Sequence, residues 1–124
     1  LSQMQNLEDW IQKRGKLARR YFEALAPELL PRYFSEERRS AFHLYVHHVA
    51  PELRSIVFRQ LREQGIGANV HYMPLYKQPW YQKWAQTLLP NTEQFYAGAI
   101  TLPLFPSLSS GQQNLIHSHL FSTS

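Results

Sequence analysis

Between Asn6 and Ala26 the apolar residues Leu7, Trp10, Ile11, Leu17, Ala18, Tyr21, Phe22 and Leu25 recur at spacings of three and four. That spacing puts them on one face of a single long α-helix. Asn6 is placed to cap its start, and Asp9 suits the dipole of the first turn. Pro27 follows the last apolar position and stops it. Gly15 weakens its middle by about 1 kcal/mol relative to alanine. At 1.5 Å per residue such a helix is about 30 Å long, more than three short strands can cover. Leu7, Trp10 and Ile11, far from Pro27, are therefore expected to lack a partner within the chain.

The remaining pattern alternates short strands and helices. Pro27 to Ser40 reads as an irregular connection. Ala41–Val49 is expected to be a strand, apolar enough on both faces to lie centrally in a sheet. Pro51 opens a helix running to about Gln64, with Leu53, Ile56, Val57 and Leu61 on its apolar side, and Gly65 ends it. Tyr81–Gln86 reads as a short helix. A second short helix follows Pro90, with Asn91 and Gln94 at capping-box spacing. Ile100–Leu104 is a third strand interrupted by Pro103, and Pro106–Ser109 is a turn. Ser109 with Gln112 makes a capping box for a last helix carrying Leu115, Ile116, His119 and Leu120. This order predicts one two-layer α+β domain across the 124 residues.

Composition narrows the chemistry. Cysteine is absent, which removes disulfides, thiolate catalysis and cysteine-bound zinc and fits a reducing compartment. No apolar run is long enough to span a bilayer, and no signal peptide opens the chain, so a cytoplasmic protein is expected. The formal charge is +4, and the bases fall in two groups: Lys13, Arg14, Lys16, Arg19 and Arg20, then Arg32, Arg38 and Arg39. Such a face can be simply solvated, or it can meet nucleic acid, lipid or phosphorylated ligands. The six histidines lack metal spacing. His43 and His47 share a strand face about 13 Å apart. His47 and His48 point oppositely, and His117 and His119 do not face each other on a helix. With nine acids, mostly in helices beside bases, a two-carboxylate hydrolase is not expected. There is no Ser-His-Asp order, glycine-rich phosphate loop or HExxH.

The stretch from Gly65 to Tyr81 is the candidate site. Ala68–Met73 alternates and reads as a strand that Pro74 ends. Asn69, His71 and Met73 would then line one face, and Ala68, Val70 and Tyr72 the other. His71 and Tyr72 are thus expected to leave opposite faces. The geometry suits a strand end presenting side chains to a ligand, and equally an ordinary strand leaving a core. Of the lysines, Lys13 and Lys16 sit in a basic helix segment, and Lys77 alone lies near the candidate site.

Particular runs add to this. They are Lys13-Arg14-Gly15-Lys16-Leu17-Ala18-Arg19-Arg20-Tyr21, Ala41-Phe42-His43-Leu44-Tyr45-Val46 and Gly65-Ile66 with Val70-His71-Tyr72-Met73-Pro74-Leu75. Gln78-Pro79-Trp80-Tyr81, Leu89-Pro90-Asn91-Thr92-Glu93 and Thr101-Leu102-Pro103-Leu104-Phe105-Pro106 complete the set. Together they resemble the C-terminal domain of the DegT/DnrJ/EryC1/StrS aminotransferases, over nearly the whole chain. The likeness is strongest to the branch that aminates a UDP-linked 4-keto-6-deoxy hexose in making pseudaminic acid. Trp80 and the His47-His48 pair depart from the family pattern.

The resemblance implies the small domain of a fold-type-I aminotransferase, with a long N-terminal helix and a small, mainly antiparallel sheet covered by helices. It implies a large domain of the same polypeptide that holds pyridoxal phosphate and its Schiff-base lysine, and a homodimer whose active site the small domain closes. It also implies a substrate pocket to which His71, Tyr72, Tyr76, Lys77, Gln78 and Tyr81 contribute, with an amino acid such as glutamate as donor. The tyrosines, His71 and Gln78 would supply donors and acceptors on apolar bodies, and Lys77 positive charge. No catalytic or cofactor-binding residue is expected within these residues, and the chain alone is expected to lack transaminase activity. A stand-alone sugar-nucleotide binding module and a basic nucleic-acid-binding domain are the other classes.

Overall fold

In the computed structural model, which describes residues 2–35, 37, 39–84 and 89–121, the N-terminal apolar row forms the long helix it predicts. A separate turn, α1 (Ser2–Gln5), precedes α2 (Leu7–Leu25). Asn6 lies between them in helical conformation and makes no side-chain cap. Its carbonyl accepts the Trp10 amide at 3.0 Å, so a preceding helical turn replaces the expected cap. Pro27 ends α2 but opens a 3-10 turn, Pro27–Leu29, that runs into α3 (Leu30–Tyr33). Proline needs no amide partner in a first turn, so these prolines build helical turns where an irregular connection was expected. The later elements are β1 (Tyr45–His48), α4 (Arg54–Glu63), α5 (Pro90–Gly98), β2 (Ala99–Leu102) and α6 (Ser110–Phe121).

The class is α+β, as expected, but the sheet is smaller. Among the described residues it has two strands, β1 antiparallel to β2, so β1 is not central. It is shorter than Ala41–Val49 because Phe42 takes a φ of 43°, which interrupts extended backbone. The expected strand over Ala68–Met73 shrinks to one antiparallel bridge between Asn69 and Thr101. The physical cause is local. The Asn69 side-chain oxygen takes the Val70 amide at 2.8 Å, out of any ladder, and Pro74 has no amide to give. Asn91 is an interior residue of α5, which Pro90 opens, rather than its cap. Of the helix expected over Tyr81–Gln86, Gln82–Trp84 is a 3-10 turn, while Ala85 and Gln86 lie outside the described residues.

The chain divides into two compact units, one of Leu1–Tyr45 with Pro103–Ser124 and one of Val46–Leu102. In the first, α2 buries Leu17, Ala18, Tyr21 and Phe22, and α6 buries Ile116 and Leu120. Gln113, also fully buried, donates its amide to the Leu17 carbonyl at 2.9 Å. The Tyr21 hydroxyl donates to the Pro103 carbonyl at 3.0 Å. Burial, the leading cause, holds the Tyr21 and Tyr45 phenols well above the ordinary tyrosine range. Phe42 is drawn into this core, stacked on Phe34 with ring centroids 4.9 Å apart. The capping box of α6 is present in both directions: the Ser109 amide donates to Gln112 Oε1 at 2.8 Å, and the Gln112 amide to Ser109 Oγ at 3.2 Å.

Much of the basic row is spent inside this first unit. Lys13 pairs with Asp9 at 2.7 Å, Arg14 donates to the Ala41 carbonyl at 3.0 Å, and Arg20 donates to Asn114 at 2.9 Å. The Arg19 guanidinium lies 4.2 Å from the Phe34 ring centre, and Arg39 pairs with Glu8. Lys13 and Arg39 are thereby paired with acids, whereas Arg14, Arg19 and Arg20 meet neutral partners.

In the second unit, Val57 and Leu61 of α4 are buried, as are Ile66, Ala68 and β2. Leu53 and Ile56, expected on the buried side of α4, are 38% and 49% exposed. Gly65 ends α4 with φ at 73°. Gly98 joins α5 to β2 where a Cβ would stand 2.3 Å from the Val49 carbonyl oxygen. Only glycine allows the strands to meet this closely, with the Val49 amide donating to the Gly98 carbonyl at 3.0 Å.

Candidate functional site

The run from α5 through β2 holds the candidate stretch at both ends. At the root, Asn69 and Thr101 exchange backbone hydrogen bonds of 3.0 and 2.7 Å. At the tip, Glu93 in the first turn of α5 accepts a hydrogen bond from the Tyr76 hydroxyl on one oxygen and pairs with the Lys77 ammonium through the other. Between them Leu75–Lys77 forms a 3-10 turn. The Lys77 amide donates to the Pro74 carbonyl at 2.9 Å, the Gln78 amide to Leu75 at 3.0 Å, and the Tyr81 amide to Gln78 at 2.9 Å.

Charge is compensated at the tip. The bond from Lys77, then that from Tyr76, holds the Glu93 carboxyl below the usual carboxylate range. The bond to Glu93 is the first cause pushing the Tyr76 phenol up to about 12. The Lys77 ammonium also lies 5.6 Å from the Tyr96 ring centre, and the Arg54 guanidinium 5.4 Å from the same centre. A lysine neutralised this way offers little free charge to a phosphate.

His71 and Tyr72 depart from expectation. Their rings meet edge to face with centroids 4.6 Å apart, across a cis peptide bond. They do not leave opposite faces, because no pleated ladder runs through this segment to alternate them. Tyr72 is 70% exposed, whereas His71 is half-buried and its Nδ1 is shielded from solvent without a hydrogen-bond partner among the described residues. Tyr81 belongs to a third group, its ring 6.1 Å from that of Trp84. There the Lys83 ammonium lies 4.5 and 4.1 Å from the Trp80 and Trp84 ring centres. Gln78 contributes its backbone to the turns.

Of the six expected residues, then, Tyr76 and Lys77 are brought together on Glu93, His71 and Tyr72 on each other, and Tyr81 with Trp84. Glu93, Tyr96 and Arg54 were missed as contributors. The sequence signals for Glu93 are its place in the Leu89–Glu93 run and an acid in the first turn of a helix, which its dipole favours; neither points to its partners, which lie 16 and 17 residues away. Among the described residues no cluster of three or more histidines, aspartates or glutamates could hold a metal.

The model of the DegT/DnrJ/EryC1/StrS aminotransferase family matches residues 1–121, and the chain belongs to that family. Its fold is the α+β small domain found in the C-terminal part of fold-type-I aminotransferases. The chain is 34% identical over 119 residues to the spore coat polysaccharide biosynthesis protein SpsC of Bacillus subtilis, covering 88% of this chain and 31% of that protein. It is 33% identical over 113 residues to the dTDP-4-dehydro-2,3,6-trideoxy-D-glucose 4-aminotransferase of Saccharopolyspora spinosa, covering 89% of this chain and 29% of that one. The chain thus spans about a third of the length of these relatives. Among solved structures, PseC of Helicobacter pylori, an aminotransferase of pseudoaminic acid biosynthesis, superposes with a TM-score of 0.83 at 27% identity. That match covers 99% of this chain and 35% of PseC. Spr1654 of Streptococcus pneumoniae, solved in its PLP form, gives 0.85 at 27% identity over 99% of this chain and 33% of that one.

The lysines here do not fit the imine-forming role that pyridoxal phosphate requires. Lys13 and Lys77 are ion-paired, Lys16 is exposed, and exposed Lys83 lies over indole rings. None of these settings is the enclosed, desolvated pocket that a Schiff-base lysine needs.

Proposed function

We propose that the chain is the C-terminal domain of a pyridoxal-phosphate-dependent aminotransferase acting on a nucleotide-linked 4-keto-6-deoxy sugar. The sugar is UDP-linked, of the pseudaminic-acid type, and the amino donor is glutamate. The observation that carries the reading is the family match over residues 1–121. Two relatives sharpen it: one is named for 4-amination of a dTDP-linked dehydro sugar, the other for pseudoaminic acid biosynthesis.

In this reading a large domain of the same polypeptide supplies cofactor and lysine, and the enzyme works as a cytoplasmic homodimer. No helix among the described residues is long and apolar enough to cross a membrane. The part played by this chain is recognition. His71, Tyr72, Gln78 and Tyr81 offer aromatic surface and hydrogen-bonding groups to the sugar, from a loop whose tip Tyr76 and Lys77 secure. The experiment is turnover by the full-length enzyme with glutamate and 4-keto-6-deoxy hexoses linked to UDP or to dTDP. Amination with the higher kcat/KM for the UDP sugar is expected. A preference for dTDP would overturn the UDP assignment, and amination of neither would overturn the reading.

A further inference from the structure

Among the described residues, every hydrogen bond made by residues 71–84 is local except two, and both end on Glu93. We propose that Glu93 is a positioning residue of the substrate site. Its carboxylate holds the Leu75–Lys77 turn in place and keeps Lys77 off the phosphates of the substrate, leaving sugar recognition to the side chains flanking the turn. This rests on the reading above, that residues 71–81 face the sugar.

Three observations lead there. Each Glu93 oxygen serves a different donor, so the carboxylate cannot turn toward one without releasing the other. Tyr96, one helical turn further along α5, sits beneath the same Lys77 ammonium, so two neighbours on one helix face grip one loop tip. The anchor is also firm, since α5 runs directly into the fully buried strand β2. The Lys77 and Glu93 side chains are 39% and 35% exposed. A pair so open to solvent adds little to stability, so its consequence is geometric: it decides where the turn sits. A diphosphate would need an ammonium that no carboxylate already neutralises.

The test uses the full-length enzyme with Glu93→Gln, Lys77→Gln, both together, and the exchanged pair Lys77→Glu with Glu93→Lys. Each single change is expected to raise KM for the sugar nucleotide about tenfold while leaving kcat and KM for glutamate within about twofold. The double variant should be no worse than either single one, since the two act as one unit. The exchanged pair remakes the ion pair but not the acceptor for the Tyr76 hydroxyl, so it should recover part of the lost affinity. Melting temperature should be the same in all four variants as in the wild type, a split between KM and stability that a merely structural role would not produce. A KM raised by Lys77→Gln and untouched by Glu93→Gln would overturn the proposal and make Lys77 a phosphate contact. An active wild type indifferent to both changes would overturn the Glu93 role alone. A wild type that aminates no sugar nucleotide would overturn both this and the reading it rests on.

Discussion

His48 and His117 are residues whose surroundings, not their neighbours in sequence, set their chemistry. His48 lies edge to face with Phe95 at 4.5 Å, and His117 with Tyr21 at 5.4 Å. Burial lowers the pKa of both imidazoles, with Arg20 a second cause at His117. A lowered value in the folded state means that the unfolded chain takes up the proton first as pH falls. The stability these groups confer is therefore present above the ordinary imidazole value of 6.5 and is lost as pH falls from there through the lowered values. Melting temperature should drop between about pH 7 and pH 5. The drop should be shallower in His117→Gln; an identical profile in that variant would show that His117 does not carry it. Glu8 and Glu93, also lowered, act below the ordinary carboxyl value of 4.5, outside this window.

At the scale of elements, the segments that form as expected are those whose signals are local. The capping box of α6 needs only Ser109 and Gln112, three positions apart, and both hydrogen bonds are made. Ser109→Ala should cost about 1 kcal/mol, seen as a lowered melting temperature. Glycine at the same position should cost only a few tenths; equal losses would count against the cap. The apolar row of α2 is legible for the same reason, being a repeat within one helix. The strand over Ala68–Met73 was misread because alternation records which residues are apolar, not whether a partner strand exists. Among the described residues only Asn69 finds one. Phe42 shows the limit in the other expected strand: aromatic packing against Phe34 and Phe22 draws it out of extended conformation.

For the whole molecule, the start of α2 sets how the chain behaves in solution. Leu7 is 41% exposed, and Trp10 and Ile11 are only half-buried, in line with the expectation that the chain does not fully cover this end of the helix. Apolar groups clustered this way tend to find a second surface. The chain of 124 residues should self-associate through this face. Sedimentation velocity over a range of concentrations should show it, and Trp10→Glu with Ile11→Lys should abolish it. A wild-type monomer at every concentration, with the tryptophan emission of a buried indole at position 10, would show the face already covered.

Local patterns along the chain were enough to read the long helix and its stop at Pro27, the cap of α6, the end of α4 at Gly65 and the α+β class. Each depends on residues a few positions apart, or on a repeat that composition records directly. Family membership was legible too, in motifs spread along the chain. Tertiary structure alone decided that the sheet among the described residues has two strands, that His71 and Tyr72 share a side, and that the arginines of α2 serve internal contacts. It alone joined Tyr76 and Lys77 to Glu93, because an ion pair between distant positions leaves no trace in spacing. Whether two groups so far apart along the chain meet depends on how α5 and β2 carry one of them back to the other.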